Sequence, residues 1–398
     1  MSWLRRWGGG SAEDRFADEV ARLARSLLGA RVRKLPDFSL EIHTGGSDSP
    51  FTMYLGNIYR ESQGLTGEER TSRLSSAVLG MAPQPRPQSW AQAAPRLMPA
   101  VRSASWAAAT PEVLRRRLLP FVSLQCVIDS DHAMSFATES DLSAWGVSED
   151  EALRQATENL SQGPVQVGTM AGAAFVLGPD GYISSWLAVP DVLARIAADV
   201  GGTVIAVAAD RDHLALVDTD RHALTVDLLG KALSEYKEAV RQLSPVPYLV
   251  TPDGLRPWDP PAGHPARPLV DEARHLLAAV EYQLQKARLE DLFDKAGEDV
   301  FVAGHTLMQH DDGHFWSWAG WVRQVTDGLL PQADYVLLGD NDDPVPPIAV
   351  PWDQALRLAG DALEPTGYDP PLWRYRGWPD GPALTALRDA AVPFPPSA

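Results

Sequence analysis

The densest group of chemistry-bearing side chains is His305, His310, Asp311, Asp312 and His314, imidazoles and carboxylates of the kind that ligate zinc. Their spacing argues against convergence. With Asp312-Gly313 as the turn of a hairpin, Asp311 pairs with His314, His310 with Phe315 and His305 with Gly320. His305 and His314 then share a face but stand roughly 20 Å apart along the ladder, and His310 points to the other face. No metal and no cofactor is expected. Cys126, the single cysteine, lies close in sequence to Asp129, Asp131 and His132, partners that could activate a thiolate. It alternates with Val and Ile in a strand pattern, however, which predicts a small core residue and not a reactive one.

A second group, Asp210, Arg211, Asp212 and His213, falls at a hairpin tip. Arg211 and Asp212, with Asp129, form the candidate ligand site, since a guanidinium can hold a phosphate or carboxylate. The plain alternative is a solvated turn with local ion pairs. Ser184 and Ser185 are a lesser candidate, because no nucleophile elbow surrounds them. Residues 340–343 are acidic like a calcium loop but lack its glycine and distal glutamate. Trp316, Trp318 and Trp321 make the strongest aromatic feature. The first two are expected to share a face with Leu307, and Trp321 to lie on the other with Phe315. They form either the core of a small sheet or a contact patch for another protein.

Around these groups the local patterns predict definite elements. Val122, Leu124, Cys126 and Ile128 alternate as in a buried strand, which Asp129, Ser130 and Asp131 end. Thr138 with Asp141 predicts a capped helix that Gly146 closes, and Ser148 with Glu151 opens a second helix to about Leu160. The run Thr138, Glu139, Asp141, Leu142, Trp145, Gly146, Val147, Glu149, Glu151, Ala156, Glu158, Asn159, Leu160 resembles the YtpQ-like family of uncharacterised bacterial proteins. Residues 55–60 and 209–213 extend the resemblance, which covers about residues 16–255. It implies a relationship and no activity, although the family pattern carries an Arg-Asp pair where Arg211 and Asp212 stand.

Composition narrows the partners. Hydrophobic residues at 45% and charged residues at 22% describe a globular chain, and 398 residues predict two or three domains. No apolar run approaches the ~20 residues that cross a bilayer, so no membrane span is expected. At most Trp3, Leu4 and Trp7 would touch a membrane surface. A net charge of −17 argues against a nucleic-acid partner. One cysteine suits a reducing cytoplasm, the expected location. Thirty arginines against five lysines read as the codon bias of a GC-rich bacterium.

Along the chain, residues 1–81 predict an α-ββ-α unit, with helices at 12–28 and 66–81, strands at 38–43 and 51–55, and Asn57 as a helix cap. Residues 82–120 read as a connector rich in proline and alanine. Residues 121–258 predict a central domain of ββα repeats, with strands at 173–177, 182–187, 204–208 and 213–217 and helices at 190–200 and 226–243. A linker and one long helix occupy 259–298, the helix with Val270, Ala273, Leu277, Val280, Leu284 and Ala287 in a single stripe. A hairpin domain fills 299–398. The expected class is α+β: a mainly antiparallel sheet with helices on one face, flanked by small N-terminal and C-terminal α/β units. The expected function is a non-enzymatic protein-interaction or regulatory module whose partner is another protein. The alternative is a small-ligand sensor or an enzyme with a cleft near Arg211 and Asp212.

Overall fold

The computed structural model describes residues 12–45, 50–81, 86–108, 112–130, 134–178, 182–340, 342 and 346–394. It is an α+β protein of several antiparallel sheets with helices packed on them. Two compact units divide the chain: Met1–Met98 with Val127–Ala156, and Pro99–Cys126 with Thr157–Ala398.

The first unit begins with α1 (Ala12–Leu28), which buries Phe16, Val20 and Ala24 on one face and ends at Gly29, a residue with φ of +60°. A meander follows: β1 (Arg31–Leu35), β2 (Ser39–His43) and β3 (Phe51–Tyr54). Only two of these strands are predicted from the pattern. The extra one, β1, is largely exposed and reads Arg-Val-Arg-Lys-Leu, so it carries no strong apolar alternation to reveal it. Its ladder with β2 and the Arg33–Glu41 pair at 2.7 Å hold it instead. Leu40, Ile42 and Met53 complete the core with Leu74 and Val78 of α3 (Gly67–Met81). Between them lies α2 (Gly56–Glu61), capped at Leu55 and not at Asn57. Asn57 sits inside the first turn, where its Oδ1 accepts from Arg60 at 2.6 Å.

Residues 82–120 are more than a connector. They contain α4 (Trp90–Ala93), β4 (Leu97–Ser103), α5 (Ala104–Ala108) and β5 (Arg115–Leu119). Nearly every residue of β4 is buried, which erases the period-two signal by which a half-buried strand is recognised. Next comes β6 (Val122–Asp129), buried from Val122 to Ile128; its start pairs with β5, and its end pairs with β7 (Met134–Phe136). The caps then appear as predicted. Thr138 accepts from the Asp141 N–H, the Asp141 carboxylate accepts from the Thr138 N–H at 2.8 Å, and α6 (Glu139–Trp145) ends on left-handed Gly146. Asp141 also pairs with Arg86, and Trp145 donates to the Pro87 carbonyl at 2.9 Å. Ser148 caps α7 (Glu149–Gln162) by accepting from the Glu151 N–H at 3.2 Å.

The second unit is built on a six-stranded antiparallel sheet of β8 (Gln166–Met170), β9 (Ala173–Leu177), β10 (Val204–Asp210), β11 (Ala215–Asp218), β12 (Gln242–Thr251) and β13 (Gly254–Pro257). Its order is β13-β12-β10-β11-β9-β8. Packed on it are α8 (Pro190–Val200), α9 (His222–Glu238) and α10 (Arg267–Ala296), and the consecutive buried residues of β10 show cover on both faces. The predicted strand at 182–187 is instead a fully buried 3-10 helix, Ile183–Ala188; a short apolar run does not declare its own period. The helix predicted to 243 stops at Glu238, and β12 follows. Pro245 and Pro247 argue against a strand in a sheet's interior. A bulge resolves the conflict: Ala206 pairs with Tyr248 and Ala208 with Ser244, so three residues of β12 stand opposite Val207 alone.

The rest of this unit holds two four-stranded sheets. The first is formed by β14 (Phe301–Val302), β17 (Gly328–Pro331), β21 (Leu372–Tyr375) and β20 (Glu364–Pro365). The second comprises β15 (His305–Gln309), β16 (Phe315–Val322), β18 (Tyr335–Gly339) and β19 (Ile348–Pro351). With α11 (Trp352–Ala359) and α12 (Gly381–Asp389) they enclose a core of Trp321, Leu330, Val336, Trp352, Tyr375 and Leu387.

Candidate functional site

The histidine hairpin is shifted by one residue from the predicted register. Gln309 pairs with Phe315, His305 with Ala319, and the His310 N–H donates to the His314 carbonyl, so Asp311, Asp312 and Gly313 form the loop. The left-handed Gly313, φ +93°, accommodates this three-residue connection. A one-residue slip exchanges faces. His310 and His314 now share one face with Trp316 and Trp318, while Leu307 joins His305 and Trp321 on the other. His310 stacks on Trp316 at 5.6 Å, and burial pushes His305 down to about 4. Among the described residues, no three His, Cys, Asp or Glu side chains are arranged to hold a metal ion. Trp316 is 6% exposed and Trp321 0%, with its Nε1 donating to the Gly377 carbonyl at 3.0 Å; Trp318 is half-buried.

At the β10–β11 turn, the Arg211 carbonyl accepts from the Ser184 N–H at 3.1 Å and its Nε stands 3.7 Å from Asp212. Asp210 receives the Asp212 N–H at 2.9 Å and His213 Nδ1 at 2.8 Å. A second guanidinium, not anticipated from the sequence, belongs to Arg102 of β4. Burial and then the charge of Arg211 hold it down to about 10, while Tyr182 and Asp212 oppose that shift. Asp129 belongs to the first unit, where its carbonyl accepts from Arg96 at 3.1 Å; Arg211 and Asp212 belong to the second. Cys126 is buried, as its strand pattern predicts. Asp131, His132, Asn341, Asp343, Trp3, Leu4 and Trp7 lie outside the described residues.

One buried carboxylate escaped the sequence pattern. The stripe predicted on α10 holds through Val270, Ala273 and Leu277, after which the buried face advances by fours to Glu281, Gln285 and Leu289. Leu284, expected inside, is 51% exposed, and Glu281 is 2% exposed. Glu281 accepts from the Ser105 N–H at 2.8 Å. Burial pushes its carboxyl up to about 7; hydrogen bonds from Ser105 and Ser103 pull it down, and the charge of Asp369 adds to the rise. One turn on, Gln285 donates to the Pro370 carbonyl at 2.7 Å. These two polar residues tie α10 to the start of α5 and to the loop before β21.

The open site lies elsewhere. A cleft of about 510 Å³ forms where β10 begins, β11 ends, α9 begins and the chain leaves β13. Its walls include Thr203, Thr219, His222, Arg256, Trp258 and His264. His264 Nδ1 accepts from the Ala266 N–H at 3.1 Å, so the ring proton sits on Nε2, which donates to the Thr219 carbonyl at 3.1 Å. The ring meets Trp258 edge-on at 5.0 Å and His222 at 4.6 Å. Asp220 and Asp259 add carboxylates to the rim, the latter beside Arg274 at 3.4 Å. Thr203 precedes β10 and Arg211 follows it, so at ~3.3 Å per residue the cleft and the Arg211 turn stand about 26 Å apart. Four separate stretches build this cleft, and residues 252–268 carry no periodic pattern, so the sequence alone does not reveal it.

No helix among the described residues is long and apolar enough to cross a membrane. No family model, curated protein or solved structure matches the chain.

Proposed function

We propose that this chain is a non-catalytic, ligand-responsive regulatory protein of the YtpQ-like kind, acting in the cytoplasm and taking a small polar organic molecule into the cleft beside Trp258 and His264. The observation that carries the proposal is the cleft itself. Its volume of about 510 Å³ falls within the roughly 300–1,000 Å³ typical of small-molecule sites. Aromatic edges and prolines offer a flat apolar wall, Arg256 a fixed positive charge, and Asp220 and Asp259 acceptors. A ring-containing carboxylate that also carries a donor group matches that set. His264 has both ring nitrogens committed to backbone partners, so it shapes the wall and does not act as a base there. Glu281, near neutrality, is sealed from solvent and serves as a tie.

The test is a thermal-shift screen of aromatic and heterocyclic carboxylates, followed by calorimetry on the best compound. R256A and H222A should each weaken binding by at least ten-fold while leaving the melting temperature of the unliganded protein unchanged. R211A should leave binding intact. Loss of binding in R211A with retention in R256A would move the site to the β10–β11 turn and sink this reading.

A further inference from the structure

We propose that β8 is the contact through which two copies of this chain pair edge to edge, continuing the six-stranded sheet of one copy into that of the other. The sheet ends at β8, and among the described residues only β9 pairs with it. Four of its five residues are exposed and the fifth is half-buried, so no helix among the described residues covers it. Val167 is 40% exposed, Met170 65% and Leu177 of the adjacent β9 49%.

Proteins that stay monomeric ordinarily blunt such an edge with charge, proline, a bulge or a covering element, because its free N–H and C=O groups template another strand. The opposite edge of this sheet is blunted: β13 carries Arg256 and Pro257. Among the described residues, the β8 edge has none of these devices. Its ladder with β9 runs without a bulge from Gln166↔Leu177 to Met170↔Ala173. Residues 163–178 contain no Asp, Glu, Lys, Arg or His, in a chain with 52 acidic and 35 basic residues.

The occupant that fits is a second copy. Two molecules of net charge −17 repel, so their contact must fall on a strip poor in charge; β8 carries none, and Arg221 packs against Gly172 at the turn beyond its end. A basic partner would find no counter-charge here. The strand is also self-complementary about Gly168: an antiparallel two-fold pairing sets Gln166 against Met170, Val167 against Thr169, and Gly168 against itself.

Sedimentation and light scattering on the full chain test this directly. A concentration-dependent dimer is expected, and V167K should raise its dissociation constant by at least ten-fold with an unchanged circular-dichroism spectrum. G168C should form an intermolecular disulfide on oxidation, since the two positions face each other at the two-fold; Leu177 at 3.4 Å leaves room for the added Cβ. Cys126 is buried and does not compete. A protein monomeric up to several hundred micromolar overturns the proposal. So does a dimer indifferent to V167K, or one that G168C fails to cross-link.

Discussion

Glu281 shows how one side chain can make stability depend on pH near neutrality. Its folded value is about 7 against an ordinary 4.5. Between those values the folded protein holds a proton that the unfolded chain has released, so unfolding becomes easier as pH rises. The contribution is therefore complete below about pH 4.5 and lost as pH climbs through about 7. E281Q keeps an oxygen for the Ser105 N–H and removes the ionisation. At pH 8 it should be more stable than the native protein, by roughly 3 kcal/mol at most, and at pH 4.5 nearly equal to it. Urea titrations at both pH values would check this, and an equal difference at both would show that Glu281 ionises without cost. The residue was hidden because a 3-4 repeat places Val280 and Leu284 inside, whereas three successive steps of four carry the buried face onto Glu281 and Gln285. Arg102 was missed for a related reason: in a buried strand a charged residue interrupts no visible alternation.

At the scale of elements, legibility followed punctuation. The bounds Ala12–Leu28 and Pro190–Val200 are legible in the sequence because glycine closes each helix and proline opens the second. Where prolines or buried runs break the alternation, as in β4 and β12, the sequence carries no strand signal. The predicted capping box of α6 offers a quantitative check. T138A removes the side-chain acceptor that shares the Asp141 N–H with the Thr138 carbonyl, and about 1 kcal/mol of stability should go with it. Hydrogen exchange should show faster opening of the Asp141 amide while the β10 amides keep their protection. Unchanged exchange at Asp141 would mean that the bond to the Thr138 carbonyl, with the Arg86 pair and the Trp145 bond to Pro87, holds the helix without its side-chain cap.

For the whole molecule, the surplus of acid over base governs association. If two copies join along β8, their mutual repulsion is screened by salt while the uncharged contact is not weakened. The dimer should therefore tighten several-fold between about 0.05 and 0.5 M salt, opposite to an interface held by ion pairs. Sedimentation at both salt concentrations would measure it, and weaker association at high salt would place the contact on charged surface. The α+β class was legible in the whole chain, from repeated short strands and capped helices. The cleft was not, since Thr203, His222 and Trp258 come together only once the sheet has formed.

The division of the chain carries a consequence for its synthesis. The first unit is assembled from two stretches, and the second of them ends at Ala156. The layer of α1, the β1–β3 meander and α3 has its own core and can collapse as soon as it leaves the ribosome. Arg86 and Pro87 have no such independence, because their partners Asp141 and Trp145 are translated some 55 residues later. At roughly 5–20 residues per second, that stretch waits several seconds for the segments that will hold it. A truncation before Asp141 would leave Arg86 and Pro87 permanently without these partners.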